Sequence, residues 1–386
     1  MRILIANAHG DDASSGGAER LVRDLGQGLE ARGAEVSLLQ SFPSREPGGS
    51  FERIVLHRSD WRDDRARRVR NHLGDLASRP HAELDEALAR AAPDLVHTHN
   101  LPGMSTAIWE AARRRGIPVV HTIHDYWLLC PRTTLTKRDA TPCRPSPFLC
   151  GARTRRLARW GGAVSQLIGV SQWAIDLHAS LFPAATAHLI RHPLATDPEA
   201  SPPSKPTPAT LGYIGSLERI KGVHLLLEAA PRLAEIGVRL RLAGRGALED
   251  RVADTVAAHE NVAWEGAVHG EEKQRFFAGC DLGIVPSVWA EPGGPTYTMV
   301  EWLAARRPVL ASTRGGLGEV AGTYGGSAAV EPSADAVVGA VSELLEPRRW
   351  QELVAGLRPA DSRAETEQWL DRHLAVYRSA LGRSTI

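Results

Sequence analysis

The chain has 386 residues, 43% of them hydrophobic and 24% charged. That is the balance of a folded globular protein, and it is too long for one hydrophobic core, so two domains are expected. The 46 basic and 45 acidic residues leave a net charge of +1, which excludes bulk electrostatic capture of nucleic acid. In chain order, residues 2–8 (RILIANA) form a short apolar run typical of a parallel strand buried on both faces. The run is far too short to span a bilayer, and His9-Gly10-Asp11-Asp12 after it reads as a loop, not a signal peptide. A soluble, cytoplasmic protein is expected.

Helical spacing follows at Ala18, Leu21, Val22, Leu25 and Leu29, stopped by Gly33, with the next strand at 35–40. The same grammar recurs with strands at 94–99, 118–123 and 167–170. Residues 192–208 then hold six prolines, which neither a helix nor a central strand tolerates. Alternation resumes with strands at 211–214, 239–243, 262–264, 282–286 and 309–311, and a helix from Gly222. A last amphipathic helix covers about 365–381. The reading is an α/β protein of two Rossmann-like, doubly wound domains facing a central cleft. Its boundaries are an N-terminal Rossmann-like domain over 1–192 and a Pro-rich hinge over 193–209. A second Rossmann-like domain follows over 210–363, then a C-terminal helix over 364–386 that packs back on the first domain.

Ligands of such sheets bind beyond the carboxyl ends of the strands, and the candidate motifs sit there. Gly16 and Gly17 open the first helix, where bare backbone and free N–H groups can meet a phosphate. The run 215–222 (GSLERIKG) places Ser216, Arg219 and Lys221 beside a helix start, and two cations there suit a diphosphate. Only four of the 46 basic residues are lysines (Lys137, Lys205, Lys221 and Lys273), so a lysine inside a motif stands out. The same bias, with abundant Ala and Gly, points to a GC-rich bacterial genome. Gly244-Arg245-Gly246 begins a dinucleotide fingerprint, but Glu249 replaces its third glycine. In 291–301 (EPGGPTYTMVE), Gly294-Pro295-Thr296 reads as a turn with Pro295 near the first helical position. Glu291 and Glu301 flank it and could grip sugar or ribose hydroxyls. His124 closes a strand in 121–127 (HTIHDYW). Cys130, Cys143 and Cys150 are spaced more widely than zinc pairs, and reduced thiols are the better reading. Cys280 reads as core. Arg153, Arg155, Arg156 and Arg159 could meet a membrane surface or an anionic acceptor, but no long apolar face accompanies them in sequence, so a solvated helix is the better reading.

In order along the chain, these segments resemble the retaining glycosyltransferases of family four, with the GT-B architecture. Further carriers of the resemblance are 94–100 (DLVHTHN), Gly169-Val170-Ser171, 281–301, 308–311 (PVLA) and Gly315-Gly316. The resemblance implies a nucleotide-diphosphate-sugar donor bound by the nucleotide-sugar domain over 210–363, and an unidentified acceptor on the side of the domain over 1–192: a polysaccharide, a lipid-linked glycan or a natural product. It implies that Gly16 and Gly17 approach phosphate or acceptor, that Arg219 and Lys221 neutralise the leaving diphosphate, and that Gly244 to Gly246 frame the base. Glu301 would hold the ribose, while Glu291 and His124 would touch the transferred sugar. No metal and no cofactor are expected, since cations and a helix start supply the electrostatics. Two departures stand out. Nine residues separate Glu291 from Glu301, two more than is usual in the family, and Ser216 stands where the family often has arginine. A same-fold nucleotide-sugar 2-epimerase and a non-catalytic sugar-nucleotide-binding subunit are the rival readings.

Overall fold

A computed structural model describes residues 1–11, 16–44, 48–56, 65–143, 148–194, 200–204, 209–357 and 362–382, with backbone alone at 65–68, 70–71 and 362. Much of the Pro-rich segment expected to act as a hinge, including Lys205, lies outside the described residues. The chain forms two compact units. Unit 1 holds residues 1–135, 144–190 and 368–386, and unit 2 holds 136–143 and 191–367. The short excursion 136–143, from within the first half of the sequence, thus clusters with unit 2, and the end of the chain clusters with unit 1.

Unit 1 is a seven-stranded parallel sheet in the order β3-β2-β1-β4-β5-β6-β7. Its strands are β1 (Arg2–Ala6), β2 (Glu35–Gln40), β3 (Glu52–Val55), β4 (Leu95–Thr98), β5 (Val119–Ile123), β6 (Val164–Gly169) and β7 (Thr186–Leu189). Helices α1 (Gly17–Ala31), α2 (Arg65–Ala77), α3 (Ala82–Ala91), α4 (Ala107–Arg114), α5 (Leu149–Leu157) and α6 (Gln172–His178) connect them. Central strands β4 and β5 are buried along their whole length, each opening on two apolar residues before a His-Thr pair. The sequence reading passed over β3 and β7. Both are short edge strands with half-exposed residues, so neither periodicity nor an apolar run marks them.

Unit 2 is a six-stranded parallel sheet in the order β10-β9-β8-β11-β12-β13. The strands are β8 (Thr210–Ile214), β9 (Arg239–Ala243), β10 (Val262–Trp264), β11 (Leu282–Val285), β12 (Val309–Ser312) and β13 (Ser327–Val330). The helices are α7 (Val223–Glu235), α8 (Glu249–Ala258), α9 (Gly270–Ala278), α10 (Tyr297–Ala304), α11 (Gly315–Val320), α12 (Ala334–Leu344), α13 (Pro347–Ala355) and α14 (Ser362–Ala380), the last of which crosses into unit 1. Each sheet reverses its strand order once, between β1 and β4 and between β8 and β11. Such a switch point opens a crevice beyond the strand ends.

Packing fixes the helix that matters most for unit 2. Trp302 of α10 is fully buried against two strand glycines. A Cβ on Gly283 would stand 2.2 Å from the indole, and one on Gly212 would stand 2.5 Å from it. Only glycine at both strand positions lets α10 lie this close, and α10 carries Glu301 at the adjoining position. Cys280 packs into the same core, as its sequence context implied, and burial pushes its thiol up to about 12. Among the described residues no helix is long and apolar enough to cross a membrane.

Candidate functional site

In unit 2 the candidate residues gather where β8 and β11 end. Leaving β8, the chain passes Gly215 and Ser216, makes a 3-10 turn at Arg219–Lys221, and enters α7 after Gly222 at φ +80°. Ser216 and Arg219 are exposed, and the Arg219 Nε donates to the Asp139 carbonyl at 3.1 Å within the same unit. Lys221 Nζ donates to Glu291 Oε1 at 2.7 Å, and Ser287 Oγ donates to the same oxygen at 2.6 Å. Glu291 is only 5% exposed, and the ammonium of Lys221 also lies 5.1 Å from the centre of the Trp289 ring. One buried carboxylate oxygen therefore holds a half-buried cation at the strand ends. Tyr213 lies below, its hydroxyl on the Ser216 carbonyl at 2.7 Å; burial, then the Glu291 and Glu218 charges, hold its phenol above the usual range.

Glu291 also anchors backbone. Its carbonyl accepts from the Gly316 N–H at 2.7 Å, at the start of α11. The Gly294–Pro295 peptide is cis. Pro295 immediately precedes the helix cap, near the first helical position as the sequence implies. Thr296 is the N-cap, with its hydroxyl accepting from the Met299 N–H, and α10 begins at Tyr297. Thr296 is extended, and its hydroxyl satisfies a free N–H of the first turn. Glu301 lies on α10, and Lys273 of α9 reaches its Oε1 at 2.6 Å. Lys273 was not singled out from sequence, although the scarcity of lysine was the signal that could have found it. Thus Glu291 and Glu301 each hold one of the chain's four lysines.

Gly244 to Gly246 lie against the loop after β8. Gly244 has φ +135°, and a Cβ there would stand 1.8 Å from the Gly215 carbonyl oxygen, so no other residue fits. The Leu217 N–H donates to the Arg245 carbonyl at 2.8 Å. Arg245 is exposed, lies 5.4 Å from the Trp264 ring centre and pairs with Glu249 at 2.9 Å. Glu249, which breaks the dinucleotide fingerprint, instead accepts from the Gly246 N–H at 2.9 Å.

In unit 1, Gly16 is the exposed N-cap of α1 and Gly17 its first residue. His124 follows β5, and its Nε2 meets His99 Nδ1 at 2.8 Å with the two rings stacked. His99 and His97, both in the DLVHTHN segment, are fully buried, and burial holds both rings well below the ordinary histidine range. His97 in turn bonds the Tyr377 hydroxyl through Nδ1 and the Thr122 hydroxyl through Nε2, each at 2.7 Å. A small cavity of about 10 Å³ is lined by His99, Asn100, His121, His124, Asp125 and His178. Burial lowers His121 to about 3 and raises Asp125 to about 6. Neutral imidazoles can each donate and accept, which suits hydroxyl groups. The sequence reading quoted the DLVHTHN segment but assigned its histidines no role.

Among the described residues, all four cysteines are free thiols and no group of three or more His, Cys, Asp or Glu could hold a metal ion.

Two family models match the chain: Glycosyltransferase Family 4 over residues 15–198, and Glycosyl transferases group 1 over 208–347. The chain belongs to glycosyltransferase family 4. This glycosyltransferase is 24% identical to an uncharacterized 42.6 kDa protein in the cps region of Klebsiella pneumoniae, over 83% of this chain and 87% of that one. It is 31% identical to glycogen synthase of Mycobacterium tuberculosis, over 59% of this chain and 54% of that one. Among solved structures it superposes on sucrose-phosphate synthase from Thermosynechococcus elongatus with a TM-score of 0.74 at 19% identity, covering 99% of each chain. It superposes on Anabaena HepE in complex with UDP and glucose with a TM-score of 0.70 at 16% identity, covering 98% of this chain and 100% of that one. The fold of the glycosyltransferase is GT-B.

Proposed function

We propose that the protein is a retaining glycosyltransferase that moves a sugar from a nucleotide-diphosphate donor to an acceptor, without a metal ion. The observation that carries this reading is the Lys221–Glu291 pair at the β8/β11 switch point. It sets a cation suited to a diphosphate beside a carboxylate suited to the adjoining sugar. Bond breaking at the anomeric carbon leaves negative charge on the diphosphate, and the Lys221 ammonium and exposed Arg219 are placed to meet it as it forms. Lys221 leaves Glu291 to do so. That frees a Glu291 oxygen, still held by Ser287, to accept from a sugar hydroxyl. Glu301, steadied by Lys273, holds the ribose hydroxyls, and Gly244, Arg245 and Gly246 frame the base. Gly294, Pro295 and Thr296 shape the turn between the two carboxylates, and Ser216 lines the phosphate side. In unit 1, His124 accepts or donates at a substrate hydroxyl, and Gly16 and Gly17 offer backbone N–H groups. Support for a nucleotide-sugar donor also comes from the UDP and glucose bound in HepE and the ADP and acarbose bound in a starch synthase of the same fold.

A thermal-shift panel of UDP-, GDP-, dTDP- and ADP-sugars tests the reading. One donor should stabilise the protein by about 2.7 kcal/mol at 100-fold excess over Kd. Slow hydrolysis of that donor in the presence of EDTA, with the anomeric configuration kept, is the expected chemistry. A new sugar isomer, or stabilisation by none of the four, overturns it.

A further inference from the structure

The histidines at the ends of β4 and β5 form hydrogen bonds whose direction follows from which nitrogens have partners. His99 is fixed where β4 ends, since its backbone N–H donates to the Ala6 carbonyl at 2.8 Å. Its ring is fully buried, and burial holds it well below the ordinary histidine range. A neutral imidazole carries one N–H and one bare nitrogen. Nδ1 of His99 meets His124 Nε2 at 2.8 Å, while its Nε2 is buried and has no hydrogen-bond partner among the described residues. The His97 ring lies 4.2 Å away, centre to centre, but the Tyr377 and Thr122 hydroxyls take both of its nitrogens. The His99–His124 bond therefore has two arrangements. With its proton on Nε2, His99 buries an N–H that has no acceptor and accepts an N–H from His124. With its proton on Nδ1, His99 donates to His124, and only a bare nitrogen is left over. A buried N–H without a partner is the rarer and costlier orphan.

The surroundings favour the second arrangement. His178 Nδ1 donates to the Ala174 carbonyl at 2.9 Å, because a carbonyl only accepts, and burial lowers this ring to about 4. Its Nε2 is therefore bare, and it too is buried without a partner among the described residues. His99 and His178 both line the cavity of about 10 Å³, which has room for one water at most. A water there bonds His178 only by donating, and its second hydrogen then suits a bare Nε2 on His99. We propose that His99 is a positioning residue: it keeps its proton on Nδ1, so that His124 Nε2 stays bare and His124 carries its own proton on Nδ1. A second proton on His124 meets the same obstacle, because Nε2–H of the cation would again force the His99 proton onto the orphaned nitrogen. The consequence for function rests on the reading of His124 as a contact for a substrate hydroxyl. On that reading His124 donates to the hydroxyl oxygen through Nδ1, and it does not act as a base toward it. The second histidine of the DLVHTHN segment thereby gains a role that its place in the sequence does not record.

Nitrogen NMR of the full chain, with isotope-labelled histidine rings, tests this without any substrate. At neutral pH the ring correlations should show His124 with a bare Nε2 and a protonated Nδ1, in about tenfold or greater excess over the other tautomer. His99 and His178 should show the same pattern, and His124→Gln identifies the His124 signals by their loss. His99→Asn places an amide N–H close to where the Nδ1–H stood, and it should keep the His124 pattern. His99→Leu has no donor, and it should move His124 toward the other tautomer. The parent spectrum decides the proton positions by itself, so a variant that fails to fold does not remove the test. A protonated Nε2 on His124 in the parent overturns the proposal, as does a His124 pattern in folded His99→Leu that matches the parent. Failure of every nucleotide sugar to bind would overturn the functional reading and leave these proton positions standing.

Discussion

Lys221 and Glu291 share one hydrogen bond, so any anion that binds Lys221 competes with Glu291 for it. In the proposed mechanism, Lys221→Ala removes the cation that meets charge on the departing diphosphate. The expected loss is about 3 kcal/mol of barrier stabilisation, on the order of 100-fold in kcat. The control is Arg348→Ala, whose side chain is 91% exposed, and whose rate should stay within about twofold of the parent. Equal rates for the two variants would remove Lys221 from the chemistry. The two carboxylates separate in a second experiment. Glu301→Gln should raise donor KM and weaken calorimetric binding of the free nucleoside diphosphate, because the ribose is present in both ligands. Glu291→Gln should lower kcat and leave nucleotide affinity nearly unchanged, because the free nucleotide lacks the sugar. Normal binding and normal turnover in both variants would mean that the 291–301 segment does not contact the donor.

At the scale of elements, what could be read in advance depended on burial. Strands β1, β4, β5, β8 and β11 are buried on both faces, so short β-branched and apolar stretches with motifs at their ends mark them. The edge strands β3, β7 and β13 are partly exposed and left no such trace. Glu291, Glu301 and Lys221 were legible because each lies in a local motif. Ser287 stands four residues before Glu291, but a lone serine there carries no signal of its own; Lys273 lies on another helix, and no local pattern records a contact across a fold. The same holds for α14, which was legible as an amphipathic helix but not as the carrier of Tyr377. That hydroxyl is buried and bonds His97 Nδ1 at 2.7 Å, across 280 positions of sequence. Tyr377→Phe keeps the ring and leaves His97 Nδ1 unpaired in the core. The expected cost is about 1–3 kcal/mol of stability, measured by urea unfolding against the parent. A cost near zero would mean that His97 is satisfied in some other way.

Acid stability is set at the scale of the whole molecule, and it differs between the units. His97, His99, His121, His178 and His373 all belong to unit 1, and burial holds every one of them below the ordinary histidine value of 6.5, His121 to about 3 and His178 and His373 to about 4. Between those values and 6.5 the unfolded chain binds protons that the folded chain refuses. Stability is therefore full above about pH 7 and falls as pH drops through 6.5, by up to about 1.4 kcal/mol per pH unit for each ring. Asp125 acts in the opposite sense. Raised to about 6 from 3.8, it binds a proton in the folded chain first, and over that window it offsets roughly one histidine. The remaining buried rings leave unit 1 losing stability as pH drops below 6.5. In unit 2, His224 is the histidine with a lowered pKa, and Asp281, raised by burial, opposes it. Unit 1 should therefore open first in acid. Each unit supplies its own reporter, since Cys130 in unit 1 and Cys280 in unit 2 are buried free thiols. A disulfide reagent active in acid, followed by peptide mass analysis, should label Cys130 between pH 6 and 5 while Cys280 stays protected. Labelling of both thiols together, or of neither down to pH 5, would show that the neutral histidines of unit 1 do not govern its acid stability.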